Sequence, residues 1–272
     1  MYLHLIHRCL QATPLPHRYT NDLFSPGARM KGILFDFFGT LVTYSTSRID
    51  QGYHQTHKLL IDHDVHLSYD EFLKEWVESH EFWDHHTAIT GKEYAMLDVA
   101  VRFLSRVAPQ HRTDRLSANL WRSYINEWSK GIRYIPGVPE LLESLSKNYK
   151  IGVVSNTQTA DLIHEHLKIG GMAPFMEVVV TSVEHGRPKP HPSIFETATT
   201  KLGCSPADTL FVGDSYQADY LGAQQAGLRA LLIAPPGSTQ ASHDETISSV
   251  LEVANILKVP VTSRNGVVTL EE

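Results

Sequence analysis

The sequence is poor in cysteine: Cys9 and Cys204 are the only two in 272 residues. That excludes a disulfide framework and a cysteine-rich zinc site, and it suits a reducing compartment. No uninterrupted apolar stretch reaches the roughly 18 residues that a membrane-spanning helix needs, so no span is expected. Blocks of about five or six like charges are also missing. Acidic residues outnumber basic ones by 30 to 24, giving a net charge of −6, and the basic footprint of a nucleic-acid binder is not present. Residues 1–29 show no clear apolar core or small-residue cleavage site, so a secretory leader is not expected. They mix a short apolar start with His, Pro14, Pro16 and Pro26, and they read as an N-terminal extension. The expected location is cytoplasmic.

Hydrophobic residues make up 42% of the chain and charged ones 20%, an ordinary globular balance that argues against disorder and against a coiled-coil rod. The segment GILFDF over 32–37 is a short apolar run ending in a carboxylate, as in a strand buried on both faces of a parallel sheet. A stretch with helical periodicity and no convincing strand follows over 45–131, where Phe72/Trp76/Trp83, Met96/Val99/Phe103 and Trp121/Tyr124/Trp128 recur at three, four or seven. It predicts about four helices, with the stripes Trp76/Trp83 and Trp121/Trp128 filling their core. Past Pro136–Gly137 the pattern becomes strands at 151–155, 178–182, 210–213 and 230–233, with helices between them at 160–167, 192–202 and 217–226. A terminal helix is expected over 245–257. Alternation of this kind implies right-handed βαβ units. The predicted fold is therefore α/β, a Rossmann-like parallel sheet core over 30–45 and 132–258 interrupted by a four-helix-type insertion over 46–131. Residues 259–272 form a tail to which no role is assigned.

Ligands of open parallel sheets bind beyond the carboxyl ends of the strands. The informative residues follow the strands here: Asp36 after the first, Ser155 and Asn156 after the second, Lys189 on the loop after the third, Asp214 after the fourth with Asp219 close behind. Carboxylates on two strand ends, a hydroxyl, an amide and a lysine suit an anionic substrate together with a hard divalent cation such as Mg²⁺. With that charge neutralised, Asp36 has the chemistry to attack phosphorus in line. Each residue alone also has a plainer reading: Asp36 and Asp214 as turn caps, Ser155 as a turn hydroxyl, Lys189 as a solvated cation, Asp219 as an early-helix acid.

At these residues the chain resembles the haloacid dehalogenase (HAD) superfamily, in its branch with a helical cap inserted after the first strand. The matching segments are FDFFGTLV (35–42), VVSNT (153–157), RPKPHPSIF (187–195) and FVGDSYQADYLGAQQAG (211–227). The resemblance implies a hydrolase in which Asp36 is the nucleophile, Thr40 positions it, and Ser155 with the Asn156 backbone binds the oxygens of the transferred group. It further implies that Lys189 balances charge and that Mg²⁺ is held by Asp36, the Phe38 backbone carbonyl, Asp214 and Asp219. Phosphatases of this family carry a second Asp two residues after the nucleophile as general acid and base. Here that position is Phe38. General acid–base catalysis contributes about 10²–10⁴-fold, so the departure has consequences. The expected activity is that of a Mg²⁺-dependent phosphatase acting on a small phosphorylated metabolite through an aspartyl-phosphate intermediate. The alternatives are a 2-haloacid dehalogenase, whose residue at that position is commonly aromatic, and a weakly catalytic small-molecule-binding relative. Dehalogenases usually lack the acid found here at 214, which favours the phosphatase.

Histidine chemistry is less convincing. His80 and His85 stand five apart, roughly 140° round a helix, so they do not share a face. His54 and His57 share a face but have no evident third ligand. His185 and His191 flank Lys189 and are the candidates to replace the missing acid. No nucleic-acid or membrane partner is expected, and the protein is expected to be a monomer or homodimer.

Overall fold

The computed structural model describes residues 30–238, 241, 245–263 and 266–267. The extension expected over 1–29, Cys9 within it, and positions 264–265 and 268–272 of the expected tail lie outside the described residues. Strand β1 (Gly32–Phe35) leads through a tight turn to a two-residue strand, β2 (Val42–Thr43). Its antiparallel partner, β3 (Arg133–Tyr134), arrives some ninety residues later. All the intervening regular structure is helical: α1 (His54–Ile61), α2 (Tyr69–Thr90), α3 (Met96–Val107) and α4 (Asp114–Trp128), with short 3₁₀ turns. After β3 come α5 (Val138–Ser146), β4 (Lys150–Ser155), α6 (Ala160–Ile169), β5 (Val178–Thr181), α7 (Ser182–His185), α8 (Pro192–Leu202), β6 (Thr209–Gly213), α9 (Gly222–Gln225), β7 (Arg229–Ile233), β8 (Thr246–Ile247) and α10 (Val253–Ile256).

The main sheet is six-stranded and parallel in the order β5-β4-β1-β6-β7-β8. Ile33 pairs with Ile151 and Leu210, and Phe35 with Val153 and Val212. These six residues turn to one face and join a core with α5 and α6 residues such as Leu142, Leu145 and Ile163. Leu34, Val154 and Phe211 turn to the other face and pack on Ile194, Phe195 and Leu202 of α8. Both faces are covered, which explains why the strands read as continuous apolar runs. From β1 the chain steps to β4 and β5 on one side, then crosses to β6, β7 and β8 on the other. The carboxyl end of β1 is thus the switch point at which a crevice opens.

The helical insert has a core of its own, built from Tyr53, Leu60, Phe72, Trp76, Val99, Phe103, Leu120 and Tyr124 among others. Helix α2 starts with a capping box in which Glu71 N donates to Ser68 Oγ and Ser68 N donates to Glu71 Oε2, and it stops at the left-handed Gly91. The first amides of α1 have no such local cap. Buried Glu127 of α4 accepts from Gln55 N at 3.0 Å and Thr56 N at 2.9 Å, satisfying donors that would otherwise be orphaned. The expected tryptophan stripes are corrected in part. Trp76 is fully buried, but Tyr124 fills the α4 side of this core, while Trp83, Trp121 and Trp128 are only partly buried.

The terminal helix expected over 245–257 is also corrected. Thr246 and Ile247 form an edge strand on β7, a 3₁₀ turn covers Val250–Glu252, and only Val253–Ile256 is α-helical. Pairing to an open sheet edge outweighed the local helical period, as tertiary context often does. The helical stripe would place Leu251 inward, yet Leu251 is 38% exposed while Val253 is fully buried. Val253→Ala is expected to lower stability by about 2 kcal/mol. Leu251→Ala should cost less than half as much, with urea denaturation midpoints deciding the comparison.

Candidate active site

The turn after β1 aims Asp36. Its amide donates to Val212 O at 2.9 Å, holding it over the sheet end, and the chain folds back through Leu41 N to Phe37 O and Gly39 N to Val42 O. Gly39 has φ +85°, and a Cβ there would lie 2.2 Å from Asp214 Oδ2. Only glycine lets this turn run against the carboxylate that follows β6. After Asp214 the backbone makes one π-helical turn, Tyr216–Leu221, in place of the start of the helix expected from 217. Ser215 N donates to Asp219 Oδ2 at 2.9 Å and Ser215 O accepts from Asp219 N, so the Asp219 carboxylate is folded back toward the strand ends. A Cβ on Gly213 would meet that side chain at 2.5 Å.

Lys189 enters from the loop after β5 by way of α7. Its backbone is clamped by Asn156, whose Oδ1 accepts from Lys189 N at 2.7 Å and whose Nδ2 donates to Lys189 O at 2.9 Å. The ammonium lies 2.6 Å from Asp36 Oδ1 and 2.6 Å from Asp219 Oδ1, and 5.3 Å from the centre of the Phe211 ring. One oxygen from each of Asp36, Asp214 and Asp219 falls within 4.8 Å of the others.

Burial, opposed by Lys189 and reinforced by Asp219 and Asp214, pushes the Asp36 carboxyl up to about 7. Desolvation and then the charge of Asp219 raise Asp214 to about 6; Asp214 faces solvent, so water screens part of this. Burial works against the Lys189 ammonium, but Asp219 and Asp36 outweigh it and keep the group charged. With all four groups ionised, three carboxylates against one ammonium leave an excess of two negative charges, the complement of one divalent ion.

Asp36, Lys189, Asp214 and Asp219 therefore come together. Ser155 and Thr40 are buried beside them on the β4 end and the β1 turn, and neither hydroxyl has a hydrogen-bond partner, so Thr40 makes no hydrogen bond to Asp36. The half-buried Phe38 ring packs edge-on to Phe37 at 5.0 Å and Trp128 at 5.4 Å, and against Tyr44 at 5.2 Å. Its neighbour Tyr44 was not expected at the site. Burial and then the charges of Asp214, Asp36 and Asp219 raise its phenol to about 12, which places it in the field of the whole acidic group. Its only sequence signal is the alternation after Val42 that returns residue 44 to the inward side. The two histidines beside Lys189 are engaged elsewhere: Ser193 Oγ lies 2.8 Å from both His185 Nε2 and His191 Nδ1, at the start of α8. His57 bonds Leu67 O, and His80 is buried in the insert. Among the described residues, the acidic trio is the one cluster of three metal-ligating side chains.

The sequence profile of the family described as haloacid dehalogenase-like hydrolase matches residues 33–233, from β1 to the end of β7. The chain belongs to that family. It is a hydrolase, and its relatives include phosphatases. A glyceraldehyde 3-phosphate phosphatase from Methanothermobacter thermautotrophicus is 36% identical over 116 residues, 43% of this chain and 50% of that enzyme. The match thus spans half of that relative's length. A pyrophosphatase PpaX from Oceanobacillus iheyensis is 26% identical over 206 residues, 75% of this chain and 84% of the relative. Among solved structures, a 2-haloacid dehalogenase from Pseudomonas syringae pv. Tomato superposes with a TM-score of 0.66 at 19% identity, covering 84% of this chain and 98% of that one. The magnesium-bound HAD-hydrolase YfnB from Bacillus subtilis gives 0.57 at 21% identity, covering 85% and 100%. These likenesses show the shared HAD fold.

In the hydrolase, Asp36 and Asp214 hold protons in the folded state at pH values where they ionise in the unfolded chain. Their contribution to stability is present below about pH 4 and is lost as pH rises to about 7. Without divalent ions, Asp214→Asn should melt at a higher temperature than the unsubstituted protein at pH 7.5. The gap should close toward pH 4 in scanning calorimetry.

Proposed function

We propose that this hydrolase is a Mg²⁺-dependent phosphatase that acts on a small phosphorylated metabolite by transient phosphorylation of Asp36. The observation that carries the reading is the meeting of Asp36, Asp214 and Asp219 around buried Lys189. The names of the relatives support the substrate class. The donor set fits a hard cation: oxygen ligands only, an excess of negative charge, and glycines at 39 and 213 that let the carboxylates crowd together. Asp36, Asp214, Asp219 and the Phe38 carbonyl would hold Mg²⁺, which when bound offsets the charge of the substrate oxygens and keeps the carboxylates ionised.

The protein's own groups then perform two displacements. An oxygen of Asp36 attacks phosphorus while the bond from phosphorus to the leaving oxygen breaks, and that oxygen carries off the electron pair. The buried Ser155 hydroxyl and the Asn156 backbone N–H donate to the oxygens of the transferred group, and Lys189 offsets the charge gathering on them. Water next attacks phosphorus, the bond from phosphorus to the Asp36 oxygen breaks with its electron pair returning to the carboxylate, and the proton from water leaves with the released phosphate. The helical insert acts as the cap over this crevice, limiting water and shaping substrate choice.

Phe38 has no proton to give, and its ring is committed to the cluster with Tyr44 and Trp128. The leaving oxygen must depart largely as an anion, so good leaving groups are favoured. The aromatic side chain at 38 is also what favours a second reading, a 2-haloacid dehalogenase, since halide needs no proton. Asp214 speaks against it, because an added carboxylate without a cation blunts the nucleophile.

Hydrolysis of p-nitrophenyl phosphate and a phosphometabolite panel, with and without Mg²⁺, decides between them. Phosphate release should require Mg²⁺ and fall more than about a thousandfold in Asp36→Asn. Metal-independent chloride release from a 2-haloacid would establish the dehalogenase instead. On a series of phenyl phosphates the rate should drop steeply as the leaving-group pKa rises. Phe38→Asp should raise the slowest members most, by up to about 10²-fold; a flat series would show that another group already supplies the proton.

A further inference from the structure

Glu93 lies on the five-residue loop between α2 and α3, at the edge of the helical insert, and it reaches the core instead of solvent. Its Oε2 accepts a 2.6 Å hydrogen bond from Ser182 Oγ at the start of α7. Its Oε1 accepts from Tyr94 N at 3.1 Å and, more distantly, from Gln158 Nε2 at 3.5 Å. The backbone of the same loop is tied down too: Glu93 N donates to Gly186 O and Met96 N to Gln158 O, each at 3.0 Å. Burial raises the Glu93 carboxyl, while the bonds from Ser182, Tyr94 and Gln158 pull it back, the balance of a half-buried acid held in a made-to-fit cradle.

The partners of Glu93 lead to the crevice. Ser182 Oγ, while donating to Glu93, accepts from Thr157 N at 2.9 Å. Thr157 follows Asn156, which clamps the Lys189 backbone from both sides, and Lys189 pairs with Asp36. The Ser182 hydroxyl, alongside the Glu93 and Met96 bonds to Gln158, thus joins the insert to the loop that follows Ser155 and carries Asn156, and α7 leads into the loop carrying Lys189. The contact spans 89 residues of chain and has no counterpart in any local motif.

We infer that Glu93 is a positioning residue, a latch from insert to core that sets the Asn156–Lys189 clamp through Ser182 and Thr157 when the insert is seated. The inference rests on the phosphatase reading for its catalytic effect, but the latch itself is measurable without substrate. Ser182 has only one hydrogen to give, with Glu93 Oε2 at 2.6 Å and Thr157 O at 3.2 Å as its acceptors, and the shorter contact directs it to Glu93 while its lone pairs accept from the Thr157 amide. Loss of Glu93 leaves that hydrogen only the longer contact to Thr157 O and unties the insert from Ser182, and displacements of about 1 Å in such a frame cost up to about 10²-fold in rate.

The test compares Glu93→Ala, Glu93→Gln, Ser182→Ala and the Glu93→Ala/Ser182→Ala double variant. Glutamine keeps an oxygen that accepts from Ser182 but gives up the acceptor facing Tyr94 N, so Glu93→Gln should lose less kcat/KM than Glu93→Ala, which should lose about 10- to 100-fold, mainly in kcat. The double variant should lose no more than the worse single variant, as expected of groups acting through one contact. Hydrogen exchange supplies the independent measure: the Thr157, Glu93 and Met96 amides should exchange at least about tenfold faster in Glu93→Ala, with exchange in β1 and β6 unchanged. Additive losses in the double variant, or full activity in Glu93→Ala, would overturn the role. Unchanged exchange at Thr157 would overturn the latch. Should no phosphate ester be turned over by the parent protein, the phosphatase reading falls, and faster exchange at Thr157 still upholds the latch.

Discussion

Three carboxylates do not gather at the end of a parallel sheet without a cation among them, and here Lys189 sits buried between two of them at 2.6 Å from each. In a low-dielectric setting each partner depends on the other. Removing one side of such a pair typically costs about 3–5 kcal/mol, because the remaining charge is left uncompensated. The site is built to bear this. Asn156 fixes the lysine backbone, Phe211 lies beneath its ammonium, and the π turn after Ser215 returns Asp219 to it. The third acid, Asp214, stands at the solvent-facing side. On the proposed function, charge that is poorly balanced in the protein alone would be balanced by a bound divalent ion, with stability given up where chemistry needs it.

The same economy shapes the backbone. A methyl group on Gly39 or Gly213 would collide with the carboxylates of Asp214 or Asp219, so each glycine marks a place where chain and ligand group share space. The edges of the crevice come from the insert. Trp128 of α4 meets Phe38 and Tyr44, and Glu93 grips the loops after β4 and β5. Phe38 illustrates the trade made at this edge. Its ring is held in an aromatic contact with the insert, and on the proposed function this would leave proton transfer to the leaving group.

Much of this was legible in the chain. Strands buried on both faces have to be continuous apolar runs, and a parallel sheet sends its informative side chains to the ends of those runs; Asp36, Ser155, Asn156, Lys189, Asp214 and Asp219 could be named from that rule and from their motifs. The helical insert announced itself by its period. Where local pattern and tertiary pairing disagreed, pairing prevailed, as at Thr246–Ile247, where the open edge of β7 recruited a strand from residues with helical spacing.

What the sequence by itself determined is the alternation of elements and the identity of the groups at the strand ends, because both are written in residues near one another. The tertiary structure alone decided which of those groups meet, that His185 and His191 turn away to Ser193, that Phe38 packs against Trp128, and that Glu93 reaches Ser182. Those outcomes hang on contacts between segments far apart in the chain, for which spacing along the sequence carries no signal.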